Sequence, residues 1–319
     1  MLRGNIGSEL EALITASGGG ALPFIPAFPA LGRVTRGGIQ LFNGVPISQT
    51  VFRDDPLNPV TVSSVPEIIA AQSRIPVSSV PADGTGWDLN GRKILVIDAA
   101  TQKDILEIAD RLDRLGRLHV TAGCAGFAAA LQEKIPFRTR PVRPPEPSPA
   151  MVVACGSVNP VTQRQLDYAQ GHGFLRLDLT VDQKDHFRSY MAHGHREDAQ
   201  RILLACAQGR SVIFGTRSLH PLSPQGGEEA RVEVMIAAVL HRLLDLGLDV
   251  PLFVVGGDTL IAFLKQIGCG QITPLYEVSE GIVYSTFRYR GKACRLLSKS
   301  GGFGGPDILP RLLKPPGTV

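Results

Sequence analysis

The run AMVVACGSVNPVTQRQL, residues 150–166, reads as a strand, a glycine turn and a helix in immediate succession. Ala150–Cys155 is apolar with no polar alternate, the pattern of a strand covered on both faces. Gly156-Ser157 ends the run, and Asn159 followed by Pro160 is an N-cap with proline at the first helical position. A short covered strand that feeds straight into a helix predicts a parallel sheet.

Outward from this unit the same alternation repeats. SVIFGT (211–216) is a second apolar run. EEARVEVMIAAVLHRLLDLG (228–247) spaces Val232, Met235, Ile236, Val239, Leu240, Leu243 and Leu244 as one helix would. PLFVVGGDT (251–259) reads as a third strand broken by Gly256-Gly257, with LIAFLKQIG as the helix it feeds. GIVYSTFRYRGKACRLLSKS (281–300) predicts a hairpin turning at Arg290-Gly291. Toward the N-terminus, NIGSELEALITAS predicts a helix, ALPFIPAF and KILVID (93–98) strands, and TQKDILEIADRLDRLG a helix capped by Thr101. HVTAG then leads into CAGFAAALQEK. Between the two series, RTRPVRPPEPSP (138–149) is proline-rich and can neither pair centrally in a sheet nor continue a helix. The expectation is an α/β chain of two domains, 1–137 and 150–319, joined by the linker 138–149, each a mostly parallel sheet flanked by helices.

Composition removes several function classes. Lys plus Arg total 33 against 29 Asp plus Glu, a net charge of only +4 without a basic run, and aromatics are 6%; no nucleic-acid partner is expected. No apolar run reaches the roughly 20 residues of a membrane helix, and no signal peptide opens the chain. The five cysteines, Cys124, Cys155, Cys206, Cys269 and Cys294, are scattered and form no CxxC pair, so neither zinc nor a disulfide framework is expected and the setting reads as cytoplasmic. HGHRE (193–197) carries two histidines without a third ligand and reads as a solvated helix face. Cys155 at its strand end reads as a buried thiol.

Ligands of parallel sheets bind beyond the carboxyl ends of strands, where turns expose amides at helix N-termini. Three glycine turns fit that place: Gly156-Ser157, Gly256-Gly257-Asp258-Thr259 and SGGFGG (300–305), the last beside Lys299, which could neutralise phosphate charge. None matches the dinucleotide or P-loop fingerprint, and no acidic residue follows a fingerprint as a nicotinamide enzyme requires. In the N-terminal half, PAFPALGRVTRGG (26–38), FNGVPI (42–47) and FRDDPLNPVTVSSVP (52–66) read as polar turns carrying Arg33, Arg36, Asn43, Asp54, Asp55, Asn58 and Ser63. Loops of this kind beside a packed scaffold often bind small hydroxylated or anionic ligands, a solvated surface meander being the other reading and the favoured one for any single residue.

With these pieces in place, the chain resembles the four-carbon acid sugar kinases. The matching stretches run in order: LRGNIGSELEAL (2–13), PAFPALGR with RGG and NGVP (26–46), DDPLNPVTVSSVP (54–66), TAGCAGFAAAL (121–131), CGSVNPVTQRQL (155–166), VVGGDT (254–259) and KSGGFGGPD (299–307). The resemblance implies an ATP-dependent kinase acting with Mg²⁺ on threonate, erythronate or a 3-oxo-tetronate, with the sugar acid on the N-terminal domain and ATP on the C-terminal one. It implies Arg3, Gly4 and Asn5 at the substrate, and Ser157, Gly256, Gly257, Asp258, Thr259 and Gly302 at ATP. Asp258 is the candidate catalytic residue, as proton acceptor or metal contact. The expected partner is a small sugar acid, with no membrane and a homo-oligomer left open. The family opens on a strand and an Asp-Asp-Leu-Thr-Gly-Ala motif that has no equivalent here. The N-terminal domain is therefore expected to be incomplete, and a truncated, inactive nucleotide-binding relative stands as the alternative.

Overall fold

In a computed structural model of the chain, the described residues are 4–50, 52–53, 59–135, 148–217, 232–279, 281–299 and 303–313. They fall into two compact units, Met1–Thr139 and Arg140–Val319.

The N-terminal unit holds β1 (Ala21–Ile25), β2 (Arg33–Arg36), β3 (Ile39–Phe42), β4 (Val45–Pro46), β5 (Val77–Val80), β6 (Lys93–Ile97) and β7 (Ala122–Gly123). Its helices are α1 (Ile6–Ala16), α2 (Val65–Ala70), α3 (Gln102–Arg114) and α4 (Ala125–Leu131). The sheet order is β5-β6-β1-β7, all parallel, with Phe24 opposite Val96 and Ala122. Successive strand residues face opposite sides, so two cores form. Ile25, Leu95 and Ile97 pack with Ile105, Ile108 and Phe127 of α3 and α4, while Leu22, Phe24, Ile94 and Val96 pack with Leu10 and Ile14 of α1 and Ile69 of α2. Each such fully buried side chain contributes about 1.5–3 kcal/mol. Thr101 caps α3 as expected, with Asp104 closing a capping box back onto it.

The turn-rich segment 26–47 differs from its reading as loops. Arg33–Pro46 folds into an antiparallel sheet, β2-β3-β4. Asp98, just past β6, explains its position: the carboxylate accepts from the amides of Gly37 and Gly38 at the β2–β3 turn and from Ser79 Oγ. A local sequence pattern does not announce an anchor 60 residues away.

The C-terminal unit holds β8 (Val152–Cys155), β9 (Leu175–Asp178), β10 (Val212–Gly215), β11 (Leu252–Val255), β12 (Thr273–Ser279), β13 (Ile282–Tyr289) and β14 (Lys292–Lys299). Its helices are α5 (Pro160–Gly171), α6 (Val181–Asp185), α7 (Phe187–Ser189), α8 (His195–Ala207), α9 (Val232–Asp245), α10 (Gly257–Gln266) and α11 (Ile308–Arg311). The order is β12-β13-β14-β11-β8-β10-β9; β14 through β9 are parallel, and β12 and β13 extend the sheet antiparallel. The hairpin turns where expected, with Arg290 at φ 47° and Gly291 at φ 83°, the mirror-image turn that matches strand twist. One departure bears on the site. Gly257-Asp258-Thr259 is the first turn of α10 rather than an extension of the strand.

Candidate functional site

In the C-terminal unit, β8 and β11 lie side by side, with Cys155 opposite Val255. The helices that follow them leave to opposite faces. Leu166 and Ala169 of α5 pack with Val153 and Cys155, whereas Phe263 of α10 packs with Val152, Ala154 and Val254. Adjacent parallel strands whose helices diverge create a crevice at their carboxyl ends, the topological switch point at which open α/β sheets take ligands.

The two turns at this crevice touch. A Cβ added to Gly156 would lie 2.6 Å from Thr259 Oγ1, and Thr259 is buried at 2% exposure. Gly256, the N-cap of α10, has φ 104° and no side-chain cap bonds the helix start. Glycine is needed there for its conformation, and the first amides of the helix keep their donors for a ligand. Gly256 N also donates to Lys299 O at 3.0 Å, tying the α10 turn to the end of β14. Asp258 is exposed in the first turn of α10, where a carboxylate also complements the helix dipole.

The Ser157 turn is held from behind. Gln163 Nε2 donates to Ser157 O at 2.7 Å and Thr216 O at 3.1 Å, joining the turns after β8 and β10. Its Oε1 accepts from Arg176 Nη2 at 2.8 Å, and Arg176 is paired with Asp167 and Asp178. Two lysines are buried at this edge at 3% exposure each. Lys184 donates to Thr216 Oγ1 at 3.4 Å, and Lys299 ends β14. Burial pushes the Lys299 ammonium down to about 8, with the neighbouring Cys155 opposing weakly. The Cys155 thiol is itself pushed up to about 11 by burial, which makes it an inert packing residue, as its sequence context implied. The third glycine turn is described only from Phe303. Gln165 Nε2 lies 2.8 Å from Phe303 O, 2.8 Å from Gly304 O and 3.1 Å from Gly305 O, so one amide gathers three carbonyls of that loop. Gly302 lies outside the described residues.

These groups suit a polyphosphate: backbone amides at an uncapped helix start, a serine hydroxyl and a buried lysine. Among the described residues no group of three or more His, Cys, Asp or Glu is placed to hold a metal. A divalent ion at this edge would arrive on phosphate oxygens, with Asp258 as the carboxylate within the turn.

In the N-terminal unit a cavity of about 320 Å³ opens at the carboxyl ends of β1 and β7. Phe24, Pro26, Ala122, Gly123 and Cys124 form its sheet side; Ile6, Glu9 and Leu10 of α1 face it, and Arg33, Gln40 and Ile47 of the small sheet region close it. Its size is at the lower end of small-molecule sites, about 300–1,000 Å³. Gln72 fixes the start of α1 from outside, its Nε2 donating to Gly4 O at 2.9 Å and its Oε1 accepting from Gly7 N at 2.8 Å. Gly4 and Asn5 thus stand at the head of the helix that lines the cavity, though neither lines it, and Arg3 lies outside the described residues. Of the polar loop residues, Arg33 lines the cavity while Arg36 is exposed. Asp54, Asp55 and Asn58 lie outside the described residues. Glu9 and Gln40 were not legible as site residues: each is one polar position in an ordinary amphipathic pattern.

Comparison with known proteins divides the chain at the same place. Residues 1–131 match the family described as "Sugar-binding N-terminal domain", and residues 152–309 that described as "Nucleotide-binding C-terminal domain". The chain is 30% identical to a D-threonate kinase of Salmonella typhimurium, over 96% of this chain and 76% of that protein. It is 28% identical to a D-erythronate kinase of Heliobacterium modesticaldum, over 96% and 75%. A crystal structure from Salmonella typhimurium LT2 shares the fold at TM-score 0.73 and 21% identity, covering 98% of this chain and 77% of that one. Among the described residues no helix is long and apolar enough to cross a membrane.

Proposed function

The chain belongs to the four-carbon acid sugar kinase family, and from that premise we propose that it phosphorylates the terminal hydroxyl of threonate, erythronate or a 3-oxo-tetronate at the expense of MgATP. The observation that carries the nucleotide half is the contact of the Gly156 turn with Thr259 at the switch point, beside an uncapped helix start. MgATP supplies the transferable phosphoryl group and the metal charge that offsets phosphate repulsion.

The amides of Gly257, Asp258 and Thr259, placed by Gly256, would hold phosphate oxygens, with Ser157 Oγ as a further donor. Gly302 would add a backbone donor from the third turn. Lys299, in its protonated form, would offset their charge. Asp258 would accept the proton of the attacking hydroxyl or contact the metal. In the N-terminal unit, residues 1–137 would hold the sugar acid. Arg3 and Arg33 would receive its carboxylate, Arg3 as a bidentate guanidinium donor, and Gly4 and Asn5 would contribute from the head of α1 beside the cavity. A cytoplasmic setting, where ATP is available, fits this chemistry.

The test is ADP release by purified protein with MgATP and a panel of four-carbon acids. Turnover with at least one acid is expected. ATP binding with no acid-dependent turnover would instead identify an inactive nucleotide-binding relative.

A further inference from the structure

One polar side chain in the N-terminal cavity is only half used by the fold. Gln40 on β3 is 2% exposed, and its Nε2 donates to Val34 O at 3.1 Å. Because a carbonyl can only accept, that bond fixes which end of the amide is nitrogen. Oε1 is left as a buried acceptor with no hydrogen-bond partner among the described residues, in a residue that lines the cavity. The backbone on both sides is held, Gln40 pairing with Thr35 across the small sheet and its amide donating to Ser63 O at 2.8 Å, while the bond to Val34 O holds the side-chain amide.

A buried acceptor left unfilled carries a desolvation cost, which a donor from a ligand would recover. Phe24 and Ile47 make part of the cavity wall apolar, and neither side chain can bond to that oxygen. A carboxylate cannot donate and neither can a ketone, whereas an alcohol can.

Resting on the reading that this unit binds a four-carbon acid, we propose that Gln40 is a specificity-determining residue whose Oε1 accepts a hydrogen bond from a secondary hydroxyl of the substrate. The site therefore takes acids that carry an alcohol at that carbon over analogues with a ketone or a methylene there. Arg33 and Gln40 divide the recognition, the cation meeting the carboxylate and the amide oxygen meeting the hydroxyl.

The experiment measures kcat/KM and calorimetric binding of threonate, erythronate and their 2-deoxy and 3-deoxy analogues, for wild type and Gln40→Leu. In wild type, removing one secondary hydroxyl is expected to lower kcat/KM roughly 10–100-fold while removing the other costs much less. Gln40→Leu is expected to erase that preference, which a merely structural role would leave in place. If both deoxy acids stay within about threefold of their parents in wild type, the proposal is overturned without any variant having to fold. An unchanged preference in a folded Gln40→Leu overturns it equally. Binding of tetronates with either of those results removes this inference alone, whereas no binding of any four-carbon acid removes the proposed function and this inference together.

Discussion

Gly156 and Thr259, 103 positions apart in sequence, meet at the carboxyl ends of β8 and β11, so closely that a methyl group on residue 156 would lie 2.6 Å from Thr259 Oγ1. Gly156 has no positive φ, so its need for glycine is steric rather than conformational. Gly156→Ala should therefore displace the buried Thr259 and cost about 1–3 kcal/mol, with weaker ATP binding. Thr259→Ala in the same chain removes the obstructing oxygen. The double variant should melt closer to wild type than Gly156→Ala alone; melting curves of all three decide it.

Gly256 makes the opposite case. At φ 104° and ψ 134° its backbone lies in a region almost reserved for glycine. Gly256→Ala should cost about 1–3 kcal/mol through strain and re-aim the first amides of α10. Loss of ATP affinity beyond what the melting shift explains would separate the second effect from the first.

Lys299 gives nucleotide binding a pH signature. Its ordinary value of 10.5 is pushed down to about 8 by burial. Below about 8 the free protein carries the charge already; between about 8 and 10.5 it does not, and a phosphate would draw the proton back on. Binding at pH 9 should take up a proton, seen as a dependence of calorimetric heat on buffer ionisation, and at pH 6.5 it should not. KM for ATP should climb toward about tenfold per pH unit above 8. Lys299→Met should flatten that slope. The Cys155 thiol, pushed up to about 11, remains neutral through most of this window.

Gln165 joins α5 to the loop after β14 by donating toward three carbonyls, those of Phe303, Gly304 and Gly305. Gln165→Leu leaves those acceptors without their shared donor and should cost about 1–3 kcal/mol. Faster amide exchange around residues 303–309, with α8 and α9 unaffected, is the expected readout.

The strand and helix of 150–166 could be read because the signal is local: an unbroken apolar run, a glycine, an asparagine cap whose Oδ1 does accept from Val161 N at 2.9 Å. The start of α10 could not, since two glycines argue against helix and the positive φ that requires glycine at Gly256 is visible only in the folded turn. LRLD, now β9, hid behind its polar alternates; Arg176 is nearly fully covered because Asp167 of α5 and Asp178 neutralise it. β12 begins Thr273-Pro274 and lies at the sheet edge, where proline is tolerated but the apolar signal is weak. For the site, glycine turns were visible as motifs. Gln40 was not, because what distinguishes it is a bond to Val34 and an unfilled oxygen, both products of folding.

The most direct test of the kinase reading is phosphorus NMR of the purified protein with MgATP and each four-carbon acid in turn. The account predicts that the γ-phosphate signal is replaced by a phosphomonoester coupled to the protons of the terminal carbon, in step with ADP, and only when an acid is present. ADP appearing with free phosphate alone, or no ADP with any acid while ATP still binds, would contradict it.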